Sequence, residues 1–483
     1  MPSDLPARPA APEAPVRQSA MARLALRFTA WAETWFPDTY VFAAIAVAVV
    51  AVAALVNGSS PTAVTKAFGD GFWSLIVFSM QMAFVAITGY VVATSPPAAR
   101  LIRRIAAMPS TGPGAIALVA AISMLASFLN WGLSLVFSGL LARAMATRPE
   151  LKMDYRAAGA AGYLGLGATW ALGLSSSAAQ LQANPASLPP AILQITGVLP
   201  FSETIFLWQS MVMALVLLVV SVIISWMSAP KGDQAVTAEK MGIDPQVPMD
   251  ALPPRERPGE WLEYSPFLTV ILVVLTLGWM LQEFTRVGAI VAISGLNTYN
   301  LLFLMLGLLL HWRPRSFLNA VARAVPATTG VLIQFPLYGS IAAIMTNAKG
   351  WGGASLTDRI AHVFVSATTA ETFPVAMGVY SAVLGFFIPS GGGKWIIEAP
   401  YVMQAANELK VHLGWAVQVY NAAEALPNLI NPFWMLPLLG VLSLKARDIV
   451  GFSFLQLLVH TPLVLFMLWL LGRTLEYVPP VMP

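Results

Sequence analysis

Ser390-Gly391-Gly392-Gly393-Lys394-Trp395 is a segment built to meet an anion. Three consecutive glycines let backbone amides come close to a ligand, a turn of N–H groups can cradle negative charge, and Lys394 follows at once. The segment interrupts an apolar stretch, 373–407, where an ammonium is costly and by default a functional residue. Glu398 stands one helical turn later, so Lys394 either meets a ligand or is spent on Glu398. A nucleotide P-loop is not supported, because Ile388 stands where its first glycine belongs and Trp395 where Ser or Thr is needed. A second apolar stretch, 114–142, is interrupted at Asn130-Trp131-Gly132. The amide and carbonyl of Asn130 can coordinate a cation or a carboxylate, or close the turn by hydrogen bonding.

Ser175-Ser176-Ser177 and Asn428 to Asn431 fall at matching places inside two further apolar helices. Pro427 and Pro432 would break the second of these and free backbone carbonyls. Hydroxyl, amide and carbonyl oxygens together suit a hard cation such as Na⁺, which makes Ser175, Ser176, Glu424, Asn428 and Asn431 the candidate ion-binding residues. Glu424 lies one turn before the break and is either a proton carrier or a buried acid bonded to nearby backbone. Gln81 and Gln334 read as interhelical hydrogen-bond partners rather than ligands. Trp131, Trp395, Phe433 and Trp434 flank the breaks and either line an apolar subsite or pack. The four histidines form no HExxH motif, no GxSxG elbow is present and Cys is 0. No catalytic residue, resident metal or cofactor is therefore expected, beyond Na⁺ or H⁺ as a carried ion.

These residues need an unusual solvent. The 483 residues are 57% apolar and only 10% charged, against about 45–50% and about 25% in soluble domains, which leaves too little polar surface to cover a water-solvated body. A net charge of +4 scattered between apolar runs is no nucleic-acid footprint but a membrane topology signal. Residues 1–37 lead in without an apolar signal core; their first twenty carry Pro2, Pro6, Pro9, Pro12 and Pro15 and read as disordered. Candidate spans are 39–56, 72–94, 159–182, 205–228, 262–282, 296–311, 325–347, 414–440 and 449–472. A proline-rich linker, 229–261, separates a first half, 38–228, from a second, 262–472, and residues 473–483 form a tail.

Charge decides whether 114–142 and 373–407 cross. If each enters and leaves on one face, 20 of the 27 basic residues lie on the side of the N-terminus and six (Lys66, Arg286, Lys349, Arg359, Lys410, Arg473) on the other, with Lys394 in the membrane. A single crossing by 114–142 would instead export Arg143, Arg148, Lys152 and Arg156, against the positive-inside rule. The expected fold is an all-α polytopic membrane protein of two inverted-topology repeats, with about nine spans and two re-entrant hairpins. The N-terminus is cytoplasmic. Such repeats place a small-molecule site near the midplane, between broken helices and hairpin tips.

The chain resembles the short-chain fatty acid (AtoE-type) transporters, part of an ion-transporter superfamily with inverted repeats and two re-entrant hairpins. The matching pieces are Trp35-Phe36-Pro37-Asp38, Gly69-Asp70-Gly71-Phe72-Trp73, Gln81-Met82-Ala83, Asn130-Trp131-Gly132, Gln334-Phe335-Pro336, Pro389 to Trp395 and Asn431-Pro432-Phe433-Trp434. The resemblance implies secondary import of short monocarboxylates such as acetoacetate or butyrate across a bacterial inner membrane. It also implies a homodimer with elevator-like movement. Asn130, Trp131, Gly132, Ser390, Gly391, Gly392, Gly393 and Lys394 are the candidate substrate-binding residues, and Na⁺ or H⁺ the coupling ion. With Lys394 the one basic residue left in the membrane-embedded part, a monocarboxylate is favoured over the alternative, a C4-dicarboxylate or other organic anion. A membrane-embedded enzyme is the less supported class.

Overall fold

The computed structural model describes residues 34–35, 39–246, 252–388 and 390–480, and the described residues form helices and connections without strands. Most of the N-terminal segment 1–37, residues 247–251 of the linker, Pro389, residues 481–483 and the side chain of Phe433 lie outside the described residues. The helices that frame the site are α1 Thr39–Val56, α2 Ile76–Ala93, α3 Gly112–Leu129, α4 Trp131–Ala146 and α5 Tyr155–Leu164. They continue as α6 Ser177–Ala183, α7 Trp208–Ser228, α8 Phe267–Val287, α9 Leu296–His311 and α10 Thr329–Asn347. The series ends with α11 Phe373–Phe387, α12 Gly391–Glu408, α13 Leu413–Asn428, α14 Pro432–Leu442 and α15 Ala446–Gly472.

Starts are set by side-chain caps. Thr111 accepts the Gly114 amide ahead of α3, with Pro113 in the first turn, and Ser95 accepts the Ala98 amide ahead of the amphipathic helix Pro96–Ala106. Among the described residues six helical segments are long and apolar enough to cross a membrane: Ile76–Ala93, Gly112–Leu129, Trp208–Ser228, Pro258–Val287, Thr329–Asn347 and Ala446–Gly472. The expected spans at 39–56 and 296–311 are present as shorter apolar helices.

The other two expected spans, 159–182 and 414–440, are broken. The first runs as α5, widens to a π turn at Gly165–Thr169, tightens to a 3₁₀ turn at Trp170–Leu172 and stops before α6. Ser175 and Ser176 therefore lie in the break, and only Ser177 begins a helix, where continuous helix was expected. The second breaks between Asn428 and Pro432, as the prolines require.

Two buried cores explain why the breaks sit where they do. One gathers α3, α4, α5 and α14; the other gathers α2, α6, α10, α12 and α13. Each broken helix thus has one half in each core, and its unwound residues fall at their boundary.

The interrupted stretches are helical hairpins with mouths at opposite ends of α15. Arg148 donates to the Ala106 and Pro109 carbonyls, tying the exit of α4 to the approach to α3. Arg143 donates to Val441 O at 2.9 Å, just before α15 begins. At the far end of α15, Gly472 packs against Pro374, at the start of α11, and Trp415, just beyond α12. The 27 residues of α15 separate the mouths by roughly 40 Å at 1.5 Å per residue. The linker is less free than its prolines predict. Arg143 holds the carbonyls of Asp244, Pro245 and Gln246, and Asp154 accepts the Val236 amide.

Candidate functional site

Both hairpin tips are built the same way, by a polar residue that leaves the helix and caps the next one. Asn130 is extended (φ −158°, ψ 125°) and its Oδ1 accepts the Leu133 amide at 3.0 Å. Ser390 is likewise extended, and its Oγ accepts the Gly393 amide at 3.2 Å. Asn130 is then spent completely. Its Nδ2 donates to Val85 O and Tyr299 Oη, both at 3.1 Å, and Tyr299 donates to Leu129 O at 2.7 Å. Of the two readings of Asn130, closing the turn is the one realised in this conformation.

Asn130→Ala removes the cap, worth about 1 kcal/mol, and the two hydrogen bonds to Val85 O and Tyr299 Oη, worth about 1 kcal/mol each. The purified variant should unfold with about 2–3 kcal/mol less stability. Asn130→Asp keeps the cap, loses the two donations and should fall between. Equal stability of all three proteins would show that the tip does not depend on this amide.

The tips and the breaks converge. A cavity of about 30 Å³ is lined by Met82, Trp131, Leu166, Trp170, Ser177, Val331, Phe335, Ser390, Gly391, Gly392 and Trp434. Trp131 begins α4, Ser177 begins α6, Gly391 and Gly392 begin α12, and Trp434 lies in the first turn of α14. Four helix N-termini thus border one small space. Each N-terminus carries a partial positive charge, and its first amides lack intrahelical acceptors. The Trp131 amide is engaged by Ser175 Oγ at 3.0 Å, and Ser176 Oγ caps α6. The amides of Gly391 and Gly392 sit at positions without an intrahelical acceptor. The Trp170 indole N–H is buried and has no hydrogen-bond partner among the described residues. Beyond Trp131 and Trp434, whose rings meet edge-on at 6.1 Å, a wider cavity of about 430 Å³ opens past Tyr90, Gly132, Ile333 and Gln334.

One turn behind the glycine tip, Lys394 is fully buried. Its ammonium donates to Ser381 O at 2.6 Å and Ser381 Oγ at 3.0 Å. It pairs with Glu398 at 3.4 Å and, more closely, with Glu424. It lies 4.9 Å from the centre of the Tyr420 ring, and the Tyr420 hydroxyl donates to Gly391 O at 2.5 Å. Of the two readings of Lys394, the pairing with Glu398 is present here, joined by a second acid from a different helix. Glu424 stands with Lys394 rather than with Ser175 and Ser176, whose hydroxyls act as caps. Asn428 is buried beside the break with its side-chain oxygen unpartnered among the described residues, while its carbonyl accepts the Tyr163 hydroxyl at 2.7 Å. Asn431 lies in the break itself. Gln81 bridges Asn297 and Ser187, as an interhelical partner should.

Sequence reasoning missed Trp170, Ser381 and Tyr420. A signal existed for one of them. Tyr420 and Glu424 are spaced by four and must share a helix face.

The sequence profile of the family described as "Short chain fatty acid transporter" matches residues 20–471. A protein of Escherichia coli (strain K12), assigned by name to short-chain fatty acid transport, is 34% identical over 445 residues, 91% of this chain and 97% of its own length. A Haemophilus influenzae protein of the same name is 30% identical over 458 residues, 93% of this chain and all of its own. Among solved structures, Neisseria gonorrhoeae MtrF, described as illuminating a class of antimetabolite efflux pumps, superposes with a TM-score of 0.58 at 14% identity. It covers 95% of this chain and 98% of its own. The Alcanivorax borkumensis YdaH transporter, described as having an unusual topology, gives 0.52 at 14% identity, covering 91% and 98%. These neighbours share the fold, and they are transporters or efflux pumps rather than enzymes. Profile, relatives and fold together place this polytopic chain in the short-chain fatty acid transporter family.

Proposed function

We propose that the protein is a secondary transporter that imports short-chain monocarboxylates, such as acetoacetate or butyrate, across a bacterial inner membrane, coupled to Na⁺ or H⁺. The N-terminus is cytoplasmic, the two hairpins are re-entrant elements of inverted repeats, and the carrier works as a homodimer. The observation that carries this reading is the meeting of four helix N-termini around one small aromatic cavity. Fixed partial positive charge there suits a single carboxylate, the Gly391 and Gly392 amides and the Trp170 N–H supply donors, and the Trp131–Trp434 side accepts a short acyl chain.

A dicarboxylate would bring a second charge to a cavity whose described lining holds no basic side chain, with Lys394 already held by two acids. Labelled butyrate should therefore enter proteoliposomes at least tenfold faster than succinate, with Na⁺ and pH gradients imposed separately. Faster succinate uptake would return the protein to the dicarboxylate reading. Chain-length preference should be shallow, since a buried methylene is worth only about 0.8 kcal/mol.

A further inference from the structure

We propose that Lys394, Glu398 and Glu424 form the proton-binding site of the carrier, holding one exchangeable proton per cycle, and that Tyr420 conveys its occupancy to the Gly391 tip. This rests on the transport reading above and narrows its coupling ion to H⁺. All three side chains are fully buried. One ammonium and two carboxylates sum to a single negative charge, and an uncompensated charge in a low-dielectric interior is costly.

Around the group, the titratable side chains are phenols: Tyr338 of α10, Tyr380 of α11, Tyr401 of α12 and Tyr420 of α13. α15, which also packs on α13, contributes His460, and that ring is bonded to Ser221 and the Gln456 carbonyl instead. None of these supplies a second cation. A metal ion could do so, but the Lys394 ammonium already occupies the space between Ser381, Glu398 and Glu424. The metal's charge would also be repelled at close range. A proton needs only one carboxyl oxygen. Glu398 Oε2 and Glu424 Oε1 are buried and without hydrogen-bond partners among the described residues, so an oxygen is open on each acid.

The link to the substrate cavity is direct. The Tyr420 ring covers the ammonium while its hydroxyl holds the carbonyl of Gly391, a residue of the cavity wall. When a proton neutralises Glu424, Lys394 keeps one anionic partner instead of two, and its field at the tip becomes more positive as the carboxylate arrives. One proton and one carboxylate then move together, and the cycle carries no net charge.

The test uses the full-length purified protein. Infrared difference spectra across a pH step, without substrate, should show a buried protonated-carboxyl band that shifts in D₂O, disappears in Glu424→Gln and persists in Glu424→Asp. In proteoliposomes, an inward proton gradient should drive wild-type butyrate accumulation, an Na⁺ gradient should not, and a clamped membrane potential of either sign should change the initial rate less than twofold. Glu424→Gln should accumulate at least tenfold less, with partial recovery in Glu424→Asp. Tyr420→Phe should keep the carboxyl band while losing most of the response of uptake to pH. A band unchanged in both Glu424→Gln and Glu398→Gln overturns the proton site, as does Na⁺-driven uptake by wild type. Failure of wild-type counterflow for every short monocarboxylate would instead overturn the substrate reading, leaving the infrared result to judge the triad alone.

Discussion

Lys394→Ala should reduce butyrate accumulation in proteoliposomes by at least a hundredfold, and should lower the stability of the purified protein as well. Both effects follow from one arrangement. The ammonium stands between Glu398 and Glu424, with all three groups shielded from solvent. Removing one partner of a buried ion pair costs about 3–5 kcal/mol, because the remaining charge has neither water nor a counter-ion. Here two carboxylates are stranded together. Charge-balanced companions separate stability from transport. Adding Glu398→Gln and Glu424→Gln to Lys394→Ala leaves no buried charge, so the triple variant should regain most of the lost stability. It should still fail to accumulate butyrate. The three residues touch one another, so the single and triple changes will not add. Wild-type kinetics in Lys394→Ala would remove the lysine from the working site. Full recovery of uptake in the triple variant would reduce the triad to packing.

The parts of this site that could be read from sequence are those whose chemistry is local. Asn130 and the Ser390–Gly393 run interrupt apolar stretches, so they had to be tips; in the structure they are tips, each capping the helix that follows. Charge alone assigns the basic residues at 143–156 and the 229–261 linker to one face, and in the structure Arg143 holds carbonyls of that linker. Lys394 and Glu398 are spaced by four, which made their pairing one of the two readings of the lysine. Glu424 is thirty residues beyond Lys394 on another helix, and nothing in either segment specifies that α13 docks its acid there. Likewise, the π turn at Gly165–Thr169 depends on close approach to the first hairpin. The Gly165 amide donates to Ser123 Oγ at 3.0 Å, and a side chain at 165 would strike Ser123 O. Local propensity reads that segment as plain helix, while tertiary packing widens it. The same limit hid Trp170, which looks like one more membrane tryptophan until the fold sets it against the glycine tip.

That contact makes Gly391→Ala the second severe change. A methyl at 391 would overlap Trp170 Cη2 outright and come within 2.7 Å of Cζ2. The indole is 5% exposed and lines the cavity, so the ring has little room to retreat except into the space proposed for the substrate. Overpacking of this kind costs about 1–3 kcal/mol. If that cost falls on the loaded state, where the cavity must stay open, uptake should drop roughly tenfold to a hundredfold at about 1.4 kcal/mol per decade. Folding should suffer less, because the empty carrier can let the ring shift inward. Gly440→Ala is the matched control, since an added methyl there meets nothing within 4 Å, and it should transport as wild type. A smaller ring gives the decisive comparison. Trp170→Phe should relieve the overlap, so Gly391→Ala with Trp170→Phe should transport better than Gly391→Ala alone, a positive coupling that only contacting residues show. If the double variant were no better than the single, the damage at 391 would have to arise in the tip backbone itself, and the indole would not be the wall that the substrate meets.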